Sequence, residues 1–227
     1  RISLGLPVRE LARTAHGWRL LLGPVPAPQT DDVDAVVLAV PATAAARLLA
    51  GVSAEAAEAV AGLNYASVAL VALALPPGTP LPSLSGFLVP PSEGTLVKAA
   101  TFVTAKWPHL AAESAPVLVR ASLGRVGEEE RLQFDDGVLV ERARQELGQL
   151  IGAALPPPTA SWIQRWGGGL PQYPPGHLGR VATARALVPA GLALAGAALD
   201  GVGIPACVAS GERAAQDVCE SLEIVKT

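Results

Sequence analysis

A glycine turn between an apolar run and a helix-forming segment is the feature of this sequence best suited to chemistry. The stretch AGLALAGAALDGVGIPACVASGERAA occupies residues 190–215, and its apolar start at residues 191–195 predicts a buried strand. Gly201 and Gly203 permit backbone conformations and close approaches that side chains forbid. The first N–H groups of the following helix lack internal partners, so they suit an anion such as phosphate. Taken alone, a Gly-x-Gly turn favours an ordinary strand-to-helix connection.

A second glycine-rich stretch, RWGGGLPQYPPGH at residues 165–177, also has ligand-binding character. Its three glycines let the backbone approach a flat ligand, and Trp166 and Tyr173 could stack on or line a ring system. The alternative is a tight connection with a buried aromatic plug. His177 could act as an acid or base, although a histidine hydrogen-bonded to the backbone at a turn is the preferred interpretation.

The other polar clusters favour structural roles. Residues 128–130, EEE, predict a solvated turn, and Asp135 and Asp136 predict the start of a helix. Three cations assigned to the predicted sheet could bind carboxylates through charge-assisted hydrogen bonds, but surface positions are the preferred interpretation: Lys98, Lys106 and Arg120. The sequence contains no Ser/His/Asp, Cys/His or P-loop arrangement, and its histidines show no metal-ligand spacing, so no metal site and no catalytic acid or base is predicted.

Composition excludes several classes of protein. The chain has 227 residues, of which 50% are hydrophobic and 16% charged, so it can fill a core. A net charge of −3 gives no electrostatic case for nucleic acid as a partner. The longest apolar runs, such as residues 66–76, fall short of the ~20 residues that span a bilayer, so no transmembrane segment is predicted. Cys207 and Cys219, if on one helix, are ~18 Å apart and cannot form a disulfide.

Hydrophobic patterning predicts an α/β fold in which a mostly β segment separates two α/β segments. In the first segment we expect two strands within residues 6–24 and a Pro-rich loop at 24–32. A parallel strand buried on both faces follows at 33–40, and then helices at 41–49 and 54–61, the second capped by Ser53. The remaining strands are predicted at residues 65–75, 86–89, 97–103, 117–123, 161–166 and 191–195. The remaining helices are predicted at residues 137–151, 178–187 and from the glycine turn to about Leu222.

Several segments taken in order carry a family resemblance: PVREL, DAVVLAVP, GFLVPPSEG, KAATFVTAKWP, RWGGGLPQYPPGH and LAGAALDGVGIPACVASGERAA. Together they resemble the C-terminal half of the protoporphyrinogen/coproporphyrinogen oxidases, FAD-dependent enzymes of haem biosynthesis related to the monoamine oxidases. The resemblance implies part of an FAD-binding Rossmann-like domain, formed by residues 1–52 and 161–227. It also implies an inserted substrate domain with a mixed or antiparallel sheet, at residues 53–160, that roofs the flavin.

The same resemblance implies cofactor-binding positions. Val8 matches the position whose backbone contacts the adenine of FAD, and Trp166 matches the aromatic residue next to the isoalloxazine ring. Val202, Gly203 and Ile204 match the backbone segment at the pyrimidine edge of the flavin. The resemblance implies no catalytic acid or base at any residue of this chain, so the catalytic residues are unknown.

The activity implied is oxidation of a porphyrinogen to the porphyrin, with FAD taking the hydride equivalents and O2 as final acceptor. The Ala/Arg/Pro-rich composition is typical of a high-GC bacterium, which favours coproporphyrinogen III; protoporphyrinogen IX is the alternative substrate. A different FAD amine oxidase is disfavoured because the stretch LALAGAALDG carries no paired aromatic residues. We expect a cytoplasmic protein, and a peripheral membrane association and a homodimer both stay open.

The sequence also departs from the family. The N-terminal Gly-x-Gly-x-x-Gly fingerprint for the cofactor pyrophosphate is missing, together with the rest of the N-terminal half. That half is therefore the implied partner, and we expect the 227-residue chain alone not to retain FAD. A truncated, non-catalytic remnant of the family is a further alternative.

Overall fold

The computed structural model describes residues 2–226 and the side chains of residues 2–222. The strands of this range are β1 Val8–Arg13, β2 Trp18–Leu22, β3 Gln29–Val33, β4 Val36–Leu38, β5 Tyr65–Leu75, β6 Gly86–Leu88, β7 Val97–Phe102, β8 Val117–Leu123, β9 Ala160–Pro171 and β10 Leu192–Leu194. The helices are α1 Ala42–Leu49, α2 Ala54–Ala61, α3 Val103–Lys106, α4 Asp136–Ile151, α5 His177–Leu187, α6 Ala197–Asp200 and α7 Ile204–Lys226. Short 3₁₀ helices lie at Pro91–Glu93, Pro108–Leu110 and Glu129–Leu132.

The chain divides into two compact units. The terminal unit combines the residues up to Asn64 with those from Pro171 onward, and the middle unit is Tyr65–Leu170. These boundaries differ from the expected 53–160 insert at both ends. Residues 53–64 belong to the terminal unit because α2 packs against α1 and α5. Residues 161–170 belong to the middle unit because β9 is hydrogen-bonded to β5 in its sheet.

The terminal unit contains an antiparallel three-stranded sheet, β1-β2-β3, and a parallel pair, β4 with β10. The expectation of a loop throughout residues 24–32 is wrong for its second half, which forms β3: Gln29 pairs with Leu22, and Asp32 pairs with Arg19. Both carboxylate oxygens of Asp32 accept hydrogen bonds of 2.7 Å from Arg19, which compensates for the low strand propensity of an acidic segment.

The parallel pair is shorter than the expected strand at residues 33–40. Only Val36–Leu38 pairs with Leu192–Leu194, and Val37 is 39% exposed, so burial on both faces holds for β10 but not for β4. Behind β10, Ala193 and Ala195 pack against Ala214 of α7. The helix cap at Ser53 is confirmed, because its Oγ accepts a hydrogen bond of 3.2 Å from the N–H of Ala56.

The middle unit is a five-stranded sheet in the order β6-β7-β8-β5-β9, with α4 packed on one face. Alternate residues of the strands point to that face, as the two-residue period of a strand requires. The resulting core contains Val71, Leu73 and Leu75 of β5, Val119, Ala121 and Leu123 of β8, and Leu139, Ala143 and Leu147 of α4. Across residues 2–226, no helix is long and apolar enough to cross a membrane.

Candidate functional site

In the glycine turn before α7, the backbone of Gly201 has the glycine-specific conformation that the sequence predicts. This residue has φ of +126°, a backbone conformation that side chains strongly disfavour. A Cβ placed there would also lie 3.3 Å from the Cβ of Ala206. The segment before the turn differs from the expectation, because strand β10 does not lead directly into Gly201. The short helix α6, Ala197–Asp200, lies between them.

Gly203 behaves differently from Gly201. Its φ is not positive, and a Cβ placed on it would meet only Pro205 Cδ, at an ordinary distance of 3.8 Å. The fold therefore does not require glycine at this position, which corrects the expectation that both glycines serve the turn. Its carbonyl accepts the first intrahelical hydrogen bond of α7, from Cys207 at 2.9 Å, so Gly203 stands at the exposed N-terminus of a long helix.

Behind the turn, one carboxylate joins three helices. The two oxygens of Asp200 accept hydrogen bonds from Arg185 of α5 at 2.6 Å and from Arg213 of α7 at 2.5 Å. Burial by itself raises the pKa of Asp200, but hydrogen bonds from Arg185, Ser210 and Arg213 outweigh it and lower the pKa to about 2. Ser210 is fully buried and accepts a hydrogen bond of 2.9 Å from the N–H of Gly196. The network fixes where α7 begins.

Sequence reasoning missed this network. Its members lie 15 and 13 residues apart and belong to separate elements, so no local spacing marks them. The clue available was Asp200 itself, an acidic residue directly before the glycine turn.

A cavity of about 510 Å³ opens beside the turn within the terminal unit. Its walls are mostly apolar and include Tyr173, Leu178 and Leu199, and it extends to Asp200 and Gly201. The hydroxyl of Tyr173 donates a hydrogen bond of 2.6 Å to the carbonyl of Ala197 in α6. Tyr173, from the second glycine-rich stretch, is therefore hydrogen-bonded to the segment that precedes the glycine turn.

His177 departs from its expected role. It is the first residue of α5 and only 7% exposed, yet neither ring nitrogen has a hydrogen-bond partner among the described residues. The expectation of a histidine held by backbone hydrogen bonds is wrong at the side chain; instead the ring packs edge-on against Tyr173, with centroids 4.7 Å apart. An imidazole buried without a partner costs about 1–3 kcal/mol.

The glycines at residues 167–169 lie inside β9 rather than in a connection. A Cβ on Gly169 would approach Trp166 Cβ to 2.9 Å, so the small residue there makes room for the tryptophan. Trp166 is 52% exposed and is not a buried plug. Its neighbour Arg165 donates to the carbonyls of Leu132 at 3.0 Å and Phe134 at 2.7 Å, which secures the strand to the segment before α4.

The expected cofactor-binding residues fall in both units. Val8 begins β1 and is half-buried, and Val202, Gly203 and Ile204 lie at the exposed start of α7, all in the terminal unit. Trp166 lies in the middle unit. Over the part of the chain that the structure describes, no group of His, Cys, Asp and Glu residues could hold a metal ion, and Cys207 and Cys219 are both free.

Comparison with known proteins gives consistent findings. A family model described as flavin containing amine oxidoreductase matches residues 1–219. The chain is 42% identical over 190 residues to the coproporphyrinogen III oxidase of Mycobacterium tuberculosis, covering 84% of this chain and 41% of that protein. It is 30% identical over 223 residues to the protoporphyrinogen oxidase of Macaca fascicularis, covering 94% of this chain and 46% of that protein.

A solved structure gives a similar result. The crystal structure of a putative protoporphyrinogen oxidase from Exiguobacterium sp. 255-15 superposes with a TM-score of 0.80 at 29% identity. The match covers 96% of this chain and 47% of that one. The chain thus spans less than half the length of each of these three relatives, and the residues described above are the counterpart of only part of each.

Proposed function

We propose that this chain, which belongs to the flavin containing amine oxidoreductase family, forms the C-terminal part of a porphyrinogen oxidase that uses FAD. The proposed reaction is oxidation of coproporphyrinogen III to coproporphyrin III with O2 as the final acceptor. The observation that carries this proposal is the 42% identity, over 84% of the chain, to a protein named coproporphyrinogen III oxidase.

The start of α7 fits a flavin. The N–H groups of the first helical turn have no intrahelical partners, and the helix dipole places partial positive charge there. Because Gly203 has no side chain, a ligand can reach the backbone at this end of the helix. Neither the φ of Gly203 nor its surroundings in the chain require glycine. A ligand that approaches the backbone closely supplies the missing reason for a glycine.

In this proposal the backbone of Val202, Gly203 and Ile204 holds the pyrimidine edge of the isoalloxazine ring. The helix N-terminus stabilises negative charge at that edge by ~1 kcal/mol. Val8 contacts the adenine through its backbone, and Trp166 lies next to the isoalloxazine. When bound, FAD supplies the redox chemistry by accepting the electrons removed from the porphyrinogen.

The two units then have separate tasks. The terminal unit, with its parallel pair β4 and β10 and the helix α7, forms part of a Rossmann-like FAD domain. The middle unit, with its antiparallel sheet, forms the substrate domain. The Asp200 network acts as a positioning device, because it holds α6 and α7 at the proposed flavin edge.

Protoporphyrinogen IX is the second candidate substrate. The observation in its favour is the 30% identity to a protein named protoporphyrinogen oxidase, which extends over 94% of the chain. The two substrates differ chemically at the positions where coproporphyrinogen carries propionates and protoporphyrinogen carries vinyl groups.

The test is an aerobic assay of the full gene product, purified with FAD. We expect coproporphyrin fluorescence to rise with matching O2 consumption and H2O2 production, and to rise faster than protoporphyrin fluorescence does with protoporphyrinogen IX. A preference for protoporphyrinogen IX would support the second candidate. Absence of enzyme-dependent product from both substrates would contradict the proposed activity.

A further inference from the structure

On the face of the middle sheet opposite α4, strand β5 presents apolar residues where a water-facing strand usually presents polar ones. Because Val71, Leu73 and Leu75 point into the core, the intervening residues of β5 point to the other face. Those residues are Leu70, Ala72 and Ala74, none of them polar. A strand with one solvated face normally alternates apolar and polar residues, so the β5 part of this face has the composition of a contact surface.

Small side chains on β5, flanked by larger ones on the neighbouring strands, form a trough on this face. Ala72 and Ala74 are small and lie on β5, between larger residues of the two neighbouring strands. Leu118 and Arg120 stand on the β8 side and Trp162 on the β9 side, around a cavity of about 340 Å³. Trp162 is 59% exposed, so one wall of the trough is an aromatic ring available to a ligand.

One cation stands in this apolar trough without an acidic partner. Arg120 lies directly opposite Ala72 of β5 and Thr101 of β7, and it donates a hydrogen bond of 3.3 Å to Thr101 Oγ1. Among the described residues, no carboxylate oxygen lies within 4.0 Å of its guanidinium nitrogens. Four other arginines of the same unit do have such a partner: Arg125, Arg131, Arg144 and Arg165.

We propose that this trough binds a carboxylate-bearing ring of the substrate, with Arg120 taking the carboxylate and Trp162 lying against the ring. This inference rests on the proposed function, which supplies a ligand built from flat pyrrole rings with propionate groups. A guanidinium offers paired N–H donors that match a carboxylate, and the bond is stronger on an apolar surface than in water. A tryptophan face suits a flat ring. Arg120 thus becomes a substrate-binding residue rather than a surface position.

The test compares two porphyrins with the same ring system, one with free propionates and one with those groups methylated and uncharged. The full gene product and its Arg120→Gln and Arg120→Lys variants are titrated with coproporphyrin III and with its uncharged tetramethyl ester, and affinity is read from fluorescence quenching. Arg120→Gln should weaken binding of the acid by roughly ten- to a hundredfold and leave binding of the ester within about twofold. Arg120→Lys, which keeps the charge but loses the paired donors, should fall between.

Arg142 provides the matched control. It lies on α4, which packs on the other face of the sheet, and its guanidinium stacks 4.4 Å from the ring of Phe134. Arg142→Gln removes the same charge and should leave the affinity for both porphyrins within about twofold. Trp162→Leu should weaken the acid and the ester alike, since the ring contact does not depend on charge.

Three results would overturn this inference while the proposed function stands, two of them from binding and one from assembly. One is oxidation of coproporphyrinogen III by the wild type together with unchanged coproporphyrin III affinity in Arg120→Gln. The other is an equal loss of acid and ester binding in that variant. A changed oligomeric state with unchanged porphyrin affinity would make the trough an interface between copies and also overturn it. A wild-type protein that neither binds coproporphyrin III nor oxidises the porphyrinogen would overturn both proposals.

Discussion

Gly201 and Gly203 are two positions apart, but the structure gives them different constraints. Gly201 has φ of +126° and a close neighbour in Ala206, so the turn itself requires glycine there. Gly203 has an ordinary backbone conformation, and a Cβ added there would meet only Pro205 Cδ, at an ordinary distance of 3.8 Å. At the residue scale, the proposal for the flavin edge therefore depends on Gly203, where the protein alone gives no reason for glycine.

A pair of serine substitutions separates these roles. Serine is a favourable residue at a helix N-terminus, so Gly203→Ser should change the free energy of unfolding by less than about 0.5 kcal/mol. Gly201→Ser forces a side chain into a strained conformation and should cost about 1–3 kcal/mol. Urea denaturation of the full gene product measures both values.

The same variants report on the cofactor. A side chain at Gly203 blocks close approach to the helix N-terminus, so Gly203→Ser should lower the bound FAD content and raise the Kd for FAD although the protein stays folded. If Gly203→Ser keeps a full complement of FAD with the wild-type Kd, the proposed flavin edge is wrong.

Single residues were predictable where their role is local. The Ser53 cap and the backbone of Gly201 follow from short-range rules that the sequence displays directly. His177 and Asp200 were not predictable in the same way. The environment of each depends on side chains that folding brings from other elements, such as the Tyr173 ring against His177 and Arg185 against Asp200.

At the scale of elements, α5, α6 and α7 meet at the carboxylate of Asp200. Its folded pKa, about 2, lies below the ordinary value of 3.8, so folding favours the ionised form. The stability from this group is fully present above about pH 4 and is lost as the pH falls through about 2. Removing the charge should therefore reduce stability at neutral pH and flatten the acid limb of the stability profile.

Asp200→Asn tests this directly. The variant should unfold with about 1–3 kcal/mol less free energy at neutral pH, because two arginines lose their acceptor. The difference between wild type and variant should shrink as the pH falls toward about 2. Thermal unfolding followed across this pH range measures it, with the exposed Asp217→Asn on α7 as a control that removes a carboxylate outside the network. A constant difference at all pH values would show that Asp200 does not act through its charge.

Elements with a clear apolar pattern were predicted close to their final bounds, and the exceptions have physical causes. Strand β5, Tyr65–Leu75, is an apolar, β-prone run, and helix α4, Asp136–Ile151, carries an apolar stripe along one face. By contrast β3 is polar and forms a strand because Arg19 and Asp32 pair across to β2. The glycines of β9 weaken its strand signal, yet the strand extends to Pro171 as the edge of the sheet.

At the scale of the whole molecule, the sequence order of α/β, β and α/β segments was sufficient to predict an insertion, but not its limits. Composition changes little around residue 53, whereas contacts place α2 with the terminal unit, which ends its first segment at Asn64. The resemblance to porphyrinogen oxidases agrees with the matches to curated relatives and a solved structure. The cofactor and substrate roles of individual residues stay predictions.

The most direct measurement of the central claim is anaerobic reduction of the flavin by the substrate. The full gene product, purified with FAD and freed of oxygen, is mixed with coproporphyrinogen III while flavin absorbance and porphyrin fluorescence are followed together. The account predicts that the oxidised flavin bleaches as coproporphyrin III forms in proportion, and that admitting O2 restores the flavin spectrum. A flavin that stays oxidised in the presence of both coproporphyrinogen III and protoporphyrinogen IX would contradict it.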